Sequence, residues 1–86
     1  MAVVTSGNCD AVIMGSGHNG LVAANHLAYA GWDVIVVEGA EHAGGAFRSS
    51  TEWQSGFTVD LFSSFYPMTA ASPVMRALRL EAHGLE

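Results

Sequence analysis

The chain has 86 residues, half of them hydrophobic and only 13% charged, which excludes a solvated, disordered polymer. Three basic residues, all arginine, stand against eight acidic ones for a net charge of −5; no nucleic-acid footprint follows from that balance, and anionic membrane surfaces are disfavoured. The one cysteine, Cys9, excludes an internal disulfide framework and a multi-cysteine zinc site.

Residues 1–9 read as an N-terminal extension without the basic start and apolar stretch of a signal peptide. No apolar run approaches the roughly 20 residues that span a bilayer, so the expected compartment is the cytoplasm. Ala11 to Met14 is a short apolar run that stops at a glycine cluster, the pattern of a strand buried in a parallel sheet. Gly15 to Gly20 reads G-S-G-H-N-G. A helical stretch then runs from Leu21 to Ala30, with Leu21, Ala24, Leu27 and Ala28 at helical spacing and Gly31 as its stop. Val34 to Val37 is a second β-branched strand, ending at Glu38. Strand, turn, helix and strand within about 30 residues make a βαβ unit.

Beyond it, Gly39 to Gly45 is a Gly- and Ala-rich loop. Arg48 to Trp53 and Phe57 to Leu61 are expected to pair as a hairpin around residues 54–56. Ser64 to Ala71 reads as irregular. Ser72-Pro73 opens a further helix, with Val74, Ala77 and Leu78 on its apolar face and Gly84 at its end. A doubly wound sheet needs more parallel strands than these two, so residues 10–86 read as the N-terminal part of a longer domain; a self-contained small protein is the alternative. Phe57, Phe62, Phe65 and Tyr66 read as core packing residues, or else as an apolar wall for an extended lipid substrate.

The chemistry lies in the glycine loop and its acidic partner. Gly15 permits the tight turn out of the first strand, Gly17 removes the side chain where a pyrophosphate would approach, and Gly20 lets helix and strand pack closely. The N–H groups from His18 and Asn19 onward are placed to face an anion, aided by the helix dipole; the alternative for both side chains is a solvated loop position. Glu38, 18 residues after Gly20, stands where a carboxylate accepts hydrogen bonds from the adenosine ribose and repels a 2′-phosphate. His26, in mid-helix, joins no metal-ligand pattern, and no metal site is expected. Gly44 and Gly45 follow the acid by six and seven residues and permit close backbone approach to a ligand, and Arg48 can meet a phosphate or carboxylate.

The acid-ended βαβ unit followed by Gly-Gly, the segment G-G-A-F-R-S, the hairpin ending Phe57 to Asp60, and D-L-F-S-S-F-Y-P-M-T-A-A-S-P carry a resemblance. Together they look like the N-terminus of flavoproteins of the amine oxidase and phytoene desaturase group, closest to bacterial phytoene dehydrogenase-like proteins. Those are related in turn to pyridine nucleotide-disulphide oxidoreductase domain-containing proteins. The resemblance covers Asp10 to about Glu86. It implies that Gly15, Gly17 and Gly20 with the helix start hold the FAD pyrophosphate, and that Glu38 holds the ribose. It further implies that Gly44 and Gly45 line the phosphate and ribityl portion and that Arg48 lies near the flavin. Two positions depart from the group: Ala46 follows Gly-Gly where Arg is frequent, and Phe62 stands where Gly is frequent, two residues after the hairpin aspartate.

The expected fold class is therefore α/β, a Rossmann-like βαβ dinucleotide-binding unit followed by a β-hairpin and a helix, incomplete as an FAD/NAD(P)-binding domain. The expected function is the FAD-binding segment of a flavin-dependent desaturase or dehydrogenase. Its partners would be FAD, an apolar carotenoid- or lipid-like small molecule, and the remainder of the flavoprotein chain. A nicotinamide-dependent dehydrogenase segment and a non-catalytic nucleotide-binding module are the alternatives. No catalytic acid, base or nucleophile is assignable, and the segment alone is expected to be inactive.

Overall fold

In the computed structural model the described residues are 7–85. Most of the proposed extension, residues 1–6, lies outside them. The first strand, β1 (Ala11–Met14), pairs in parallel with β2 (Val34–Val37), in the register Ala11↔Val34 through Met14↔Val37. A parallel pair requires a crossover, supplied by helix α1 (His18–Tyr29). The ladder continues past both strand ends. At one end the Gly15 amide donates to the Val37 carbonyl (2.7 Å), and at the other the Asp10 amide donates to the Asp33 carbonyl (2.8 Å) while the Asp33 amide donates to Asp10 Oδ2 (2.7 Å).

Helix α1 begins three residues before Leu21, because the glycine loop itself enters helical geometry at His18. It ends as the glycine predicts. Gly31 takes φ +89°, its amide donates to Ala28 and that of Trp32 donates to Leu27, which satisfies two terminal carbonyls in a Schellman motif. Ala24 is the buried residue of the helix, and α1 packs on both strands. Along β1 the alternation puts Ala11 and Ile13 on the more sheltered face, while Met14 on the opposite face is 87% exposed.

The second half departs from expectation in three places. The hairpin exists and is antiparallel, but only β3 (Ser49–Ser50) and β4 (Val59–Asp60) pair. Trp53 and Phe57 are exposed and find no apolar surface that would extend the ladder. The stretch expected to be irregular contains helix α2 (Pro67–Ala71), with proline in its first turn and Tyr66 as a cap without a side-chain hydrogen bond. Helix α3 (Pro73–Ala77) starts as expected, with Ser72 Oγ accepting from the Met75 amide. It does not run to Gly84. Arg79 adopts the left-handed conformation (φ +51°), which ends the α-helix, and a 3₁₀ turn at Leu80–His83 completes the segment up to Gly84. Leu78 is the buried side chain of this region, whereas Val74 and Ala77 are exposed.

Burial is shallow throughout. Ala24 and Leu78 are the buried hydrophobic residues among those described, and Phe57, Phe62 and Phe65 are exposed rather than packed in a core. The Cα radius of gyration is 14.8 Å, against about 12 Å for a compact domain of this length. No helix of the described residues is long and apolar enough to cross a membrane.

Candidate functional site

The two parallel strands end side by side, and the glycine loop, Glu38, the Gly44-Gly45 turn and Arg48 gather at that edge. Gly15 leaves β1 at φ +100°, a conformation that would strain any side chain, and so turns the chain sharply into α1. A Cβ on Gly20 would lie 2.1 Å from the Gly15 carbonyl oxygen and 3.2 Å from Ile13 Cγ2. Glycine at 20 is therefore what lets α1 sit against β1. A Cβ on Gly17 would meet nothing within 4 Å. The three glycines thus divide the work, two of them shaping the chain and the third facing open space.

Gly17 caps α1 in extended geometry, without a side-chain cap and with no acidic residue in the first turn. The first amides of the helix are thereby left for an external acceptor, at its positive end. His18 and Asn19 are both exposed. The His18 ring packs edge-on against Phe47 (centroids 4.8 Å apart), and Phe47 in turn packs on Tyr66 (4.2 Å). His26 is exposed on α1.

Glu38 follows β2, and its carboxylate reaches back across the strand ends into the glycine loop. Oε2 accepts from the Ser16 amide (2.7 Å) and from Ser16 Oγ (2.6 Å); Oε1 accepts from the Ala40 amide (3.1 Å). The Ser16 hydroxyl, then the amides of Ser16 and Ala40, hold the Glu38 carboxyl down from the ordinary 4.5 to about 2. It is a fixed negative charge at neutral pH. The motif spacing does not single out Ser16. The strand pairing brings it close: with Met14 opposite Val37 in a parallel pair, Gly15 and Glu38 come next, and Ser16 follows one residue on, within reach of the carboxylate.

Gly44 and Gly45 fold back onto the same loop. The Gly44 amide donates to the Ser16 carbonyl (2.8 Å), and Gly17 and Gly44 form a parallel bridge. A Cβ on Gly45 would sit 3.1 Å from Gly17 Cα, and one on Gly44 would sit 3.0 Å from Arg48 Cγ. The close approach that these glycines allow is to the first glycine loop and to Arg48, whereas the sequence pattern suggests a ligand there. Arg48 is half-buried; its Nε lies 3.4 Å from the Gly45 carbonyl and its guanidinium carbon 5.7 Å from the centre of the Phe62 ring. The hairpin fixes its backbone, because the Leu61 amide donates to the Arg48 carbonyl and Ser49 Oγ donates to Asp60 (2.6 Å).

Two cavities lie beyond Phe47. One of about 280 Å³ touches His18 and Asn19 at the start of α1. A larger one of about 580 Å³ is walled by Tyr66, Met75, Leu80 and Leu85, and the two share Phe47, Thr69 and Met75. The arrangement offers a backbone cradle with a fixed carboxylate at one end and an apolar hollow at the other. Among the described residues it contains no positioned nucleophile or general base.

Comparison with known proteins agrees with the fold. The family model of the NAD(P)-binding Rossmann-like domain matches residues 13–79. A limonene dehydrogenase polypeptide of Castellaniella defragrans is 43% identical over 88% of this chain and 14% of its own length. Gamma-glutamylputrescine oxidoreductase of Escherichia coli is 35% identical over 73% of this chain and 16% of its own. Polyamine oxidase 3 of Oryza sativa subsp. japonica is 40% identical over 64% of this chain and 11% of its own. The chain thus spans only 11–16% of the length of these relatives, whose names are those of oxidoreductases. The match covers more than half of the chain and agrees with its parallel βαβ unit: the chain belongs to the NAD(P)-binding Rossmann-like domain family.

Proposed function

We propose that this chain is the FAD-binding segment of a flavin-dependent oxidoreductase that removes hydrogen from an apolar small molecule. The observation that carries the reading is the meeting of three separate segments at one place. The glycine loop, Glu38 and the Gly44-Gly45 turn interlock through Ser16, while Gly17 faces open space beside the uncapped start of α1. The residues fit the group. The amides of the first turn of α1 would meet the pyrophosphate, Glu38 the adenosine ribose, and Gly44 and Gly45 would flank the phosphate and ribityl portion. Arg48, which rests against that turn, would approach the flavin end. A carboxylate held ionised at Glu38 favours hydroxyls over a 2′-phosphate, which speaks against the phosphorylated nicotinamide cofactor.

The redox chemistry belongs to the flavin when it is bound; this chain binds and orients it. Two features favour an apolar substrate. The larger cavity is walled mainly by apolar and aromatic side chains and shares Phe47 with the one beside α1, and the relative that matches over 88% of the chain carries the name of a hydrocarbon, limonene. A second reading, an amine substrate, is favoured by the names of two other relatives, polyamine oxidase and gamma-glutamylputrescine oxidoreductase.

The full-length protein decides between them. It should purify with, or take up, a flavin visible by absorbance, and the flavin should bleach without oxygen on addition of apolar alkenes and not of polyamines. Bleaching by amines alone establishes the second reading. Tight binding of NAD with no affinity for FAD refutes both.

A further inference from the structure

Ser16 has the hydrogen bonds of a residue with a task beyond filling the loop. It is the buried polar side chain among the described residues, 4% exposed, at the point where three segments cross. Its amide and its hydroxyl both donate to one oxygen of Glu38, and its carbonyl accepts from Gly44. Each carboxylate oxygen offers two lone-pair sites. The two Ser16 donors fill Oε2, whereas Oε1 has a single donor, the Ala40 amide.

Building on the FAD-binding reading above, we infer that Ser16 is the positioning residue of the dinucleotide site: it clamps Glu38 through Oε2, and Oε1 is thereby the oxygen that meets a ribose hydroxyl. A glutamate side chain has three rotatable bonds and would sample many orientations at the rim of an open site. The hydroxyl at 16 removes that freedom before the ligand arrives, so less ordering accompanies binding. The backbone amide alone is one donor; adding the hydroxyl fixes both the place of Oε2 and the plane of the carboxylate. Alanine at 16 would preserve the turn, the amide donor and the bridge to Gly44, and would delete only the second clamp.

The test is a double-mutant cycle in the full-length protein, with FAD affinity read from quenching of flavin fluorescence. Ser16→Ala should weaken FAD binding about five- to tenfold, the share of one charge-assisted hydrogen bond that acts indirectly. In a Glu38→Ala background the same change should cost less than about twofold, because the side chain through which Ser16 acts is gone. A structural role would instead give equal losses in both backgrounds. An independent readout is the Glu38 side-chain carboxyl carbon, followed by NMR as pH falls. Its midpoint, near 2 with the clamp intact, should rise towards 4.5 in Ser16→Ala. Equal losses in the two backgrounds, an unweakened Ser16→Ala protein or an unmoved midpoint overturns the inference. A wild-type protein that takes up no dinucleotide removes the FAD-binding reading itself, and the role of Ser16 with it.

Discussion

The glycines at 17 and 20 belong to one motif but should fail in opposite ways when each is given a single methyl group. At Gly17 the chain has room, and its φ of −71° and ψ of 177° suit alanine. Alanine is a poorer helix cap than glycine, by about 0.5 kcal/mol. It also restricts the unfolded chain, which returns about 0.4–1 kcal/mol. Gly17→Ala should therefore change stability by less than about 1 kcal/mol, either way. On the FAD-binding reading, the methyl would project into the space of the pyrophosphate, where misfit costs about 1–3 kcal/mol, or roughly 5- to 150-fold in FAD affinity. At Gly20 the new methyl would start 2.1 Å from the Gly15 carbonyl oxygen, and helix and strand must separate by about 1 Å to relieve it. Because the clash is with backbone, overpacking falls at the upper end of about 1–3 kcal/mol, and after the gain of about 1 kcal/mol in helix propensity Gly20→Ala should lower stability by about 2 kcal/mol. Urea unfolding midpoints and FAD titrations of the two full-length variants give four numbers. Wild-type FAD affinity in Gly17→Ala, or a destabilisation there equal to that of Gly20→Ala, refutes this division of roles.

Acid should loosen the site in a defined window. Glu38 has a folded-state pKa depressed from 4.5 to about 2, so its clamp contributes fully above about 4.5 and is lost as pH falls through that range towards 2. The proton uptake on unfolding between those values should shrink by up to one in Glu38→Gln, as measured by potentiometric acid titration. The 86-residue chain expressed alone should be marginally folded and associate through the uncovered face of β1, where Met14 and Val12 are exposed. Sedimentation showing a monomer, with amide exchange slow at Val34 to Val37, would contradict this. The same isolated chain should show no substrate-dependent flavin bleaching above that of free FAD, because adenine-end contacts alone bring no reacting atoms together.

The first half of the fold was legible because its signals are local and agree with one another. β-branched Val34 to Val37 has one comfortable backbone state, and Gly31 marks the helix end by a conformation that other residues rarely adopt. The second half was legible only where a cap was written in the sequence, as at Ser72-Pro73. Helix α2 has five residues and no capping side chain, too little for periodicity to register. The hairpin's place could be read, but not its length. Length depends on cross-strand partners, and Trp53 and Phe57 have none that shelter them. Exposure of Phe62 and Phe65 was likewise beyond reach, because hydrophobicity states what a side chain prefers and not whether a surface exists to receive it.

The candidate site shows a related limit. Spacing identified which residues would gather, but assigned each of them directly to a ligand. In the structure several are held first by one another. Glu38 is held by Ser16, Gly45 abuts Gly17, and Arg48 rests against Gly44 and Phe62. A dinucleotide loop is made of backbone amides, and amides keep their direction only if the turns carrying them cannot flex. The contacts among these residues supply that rigidity. On the FAD-binding reading, a ligand approaching Gly17 and the first turn of α1 would therefore meet donors already aligned, and little of its binding energy would be spent on ordering the loop. For the same reason, substitutions at Ser16 or Gly45 should act on affinity from a distance, through loop geometry. Substitutions at Gly17 should act by direct contact.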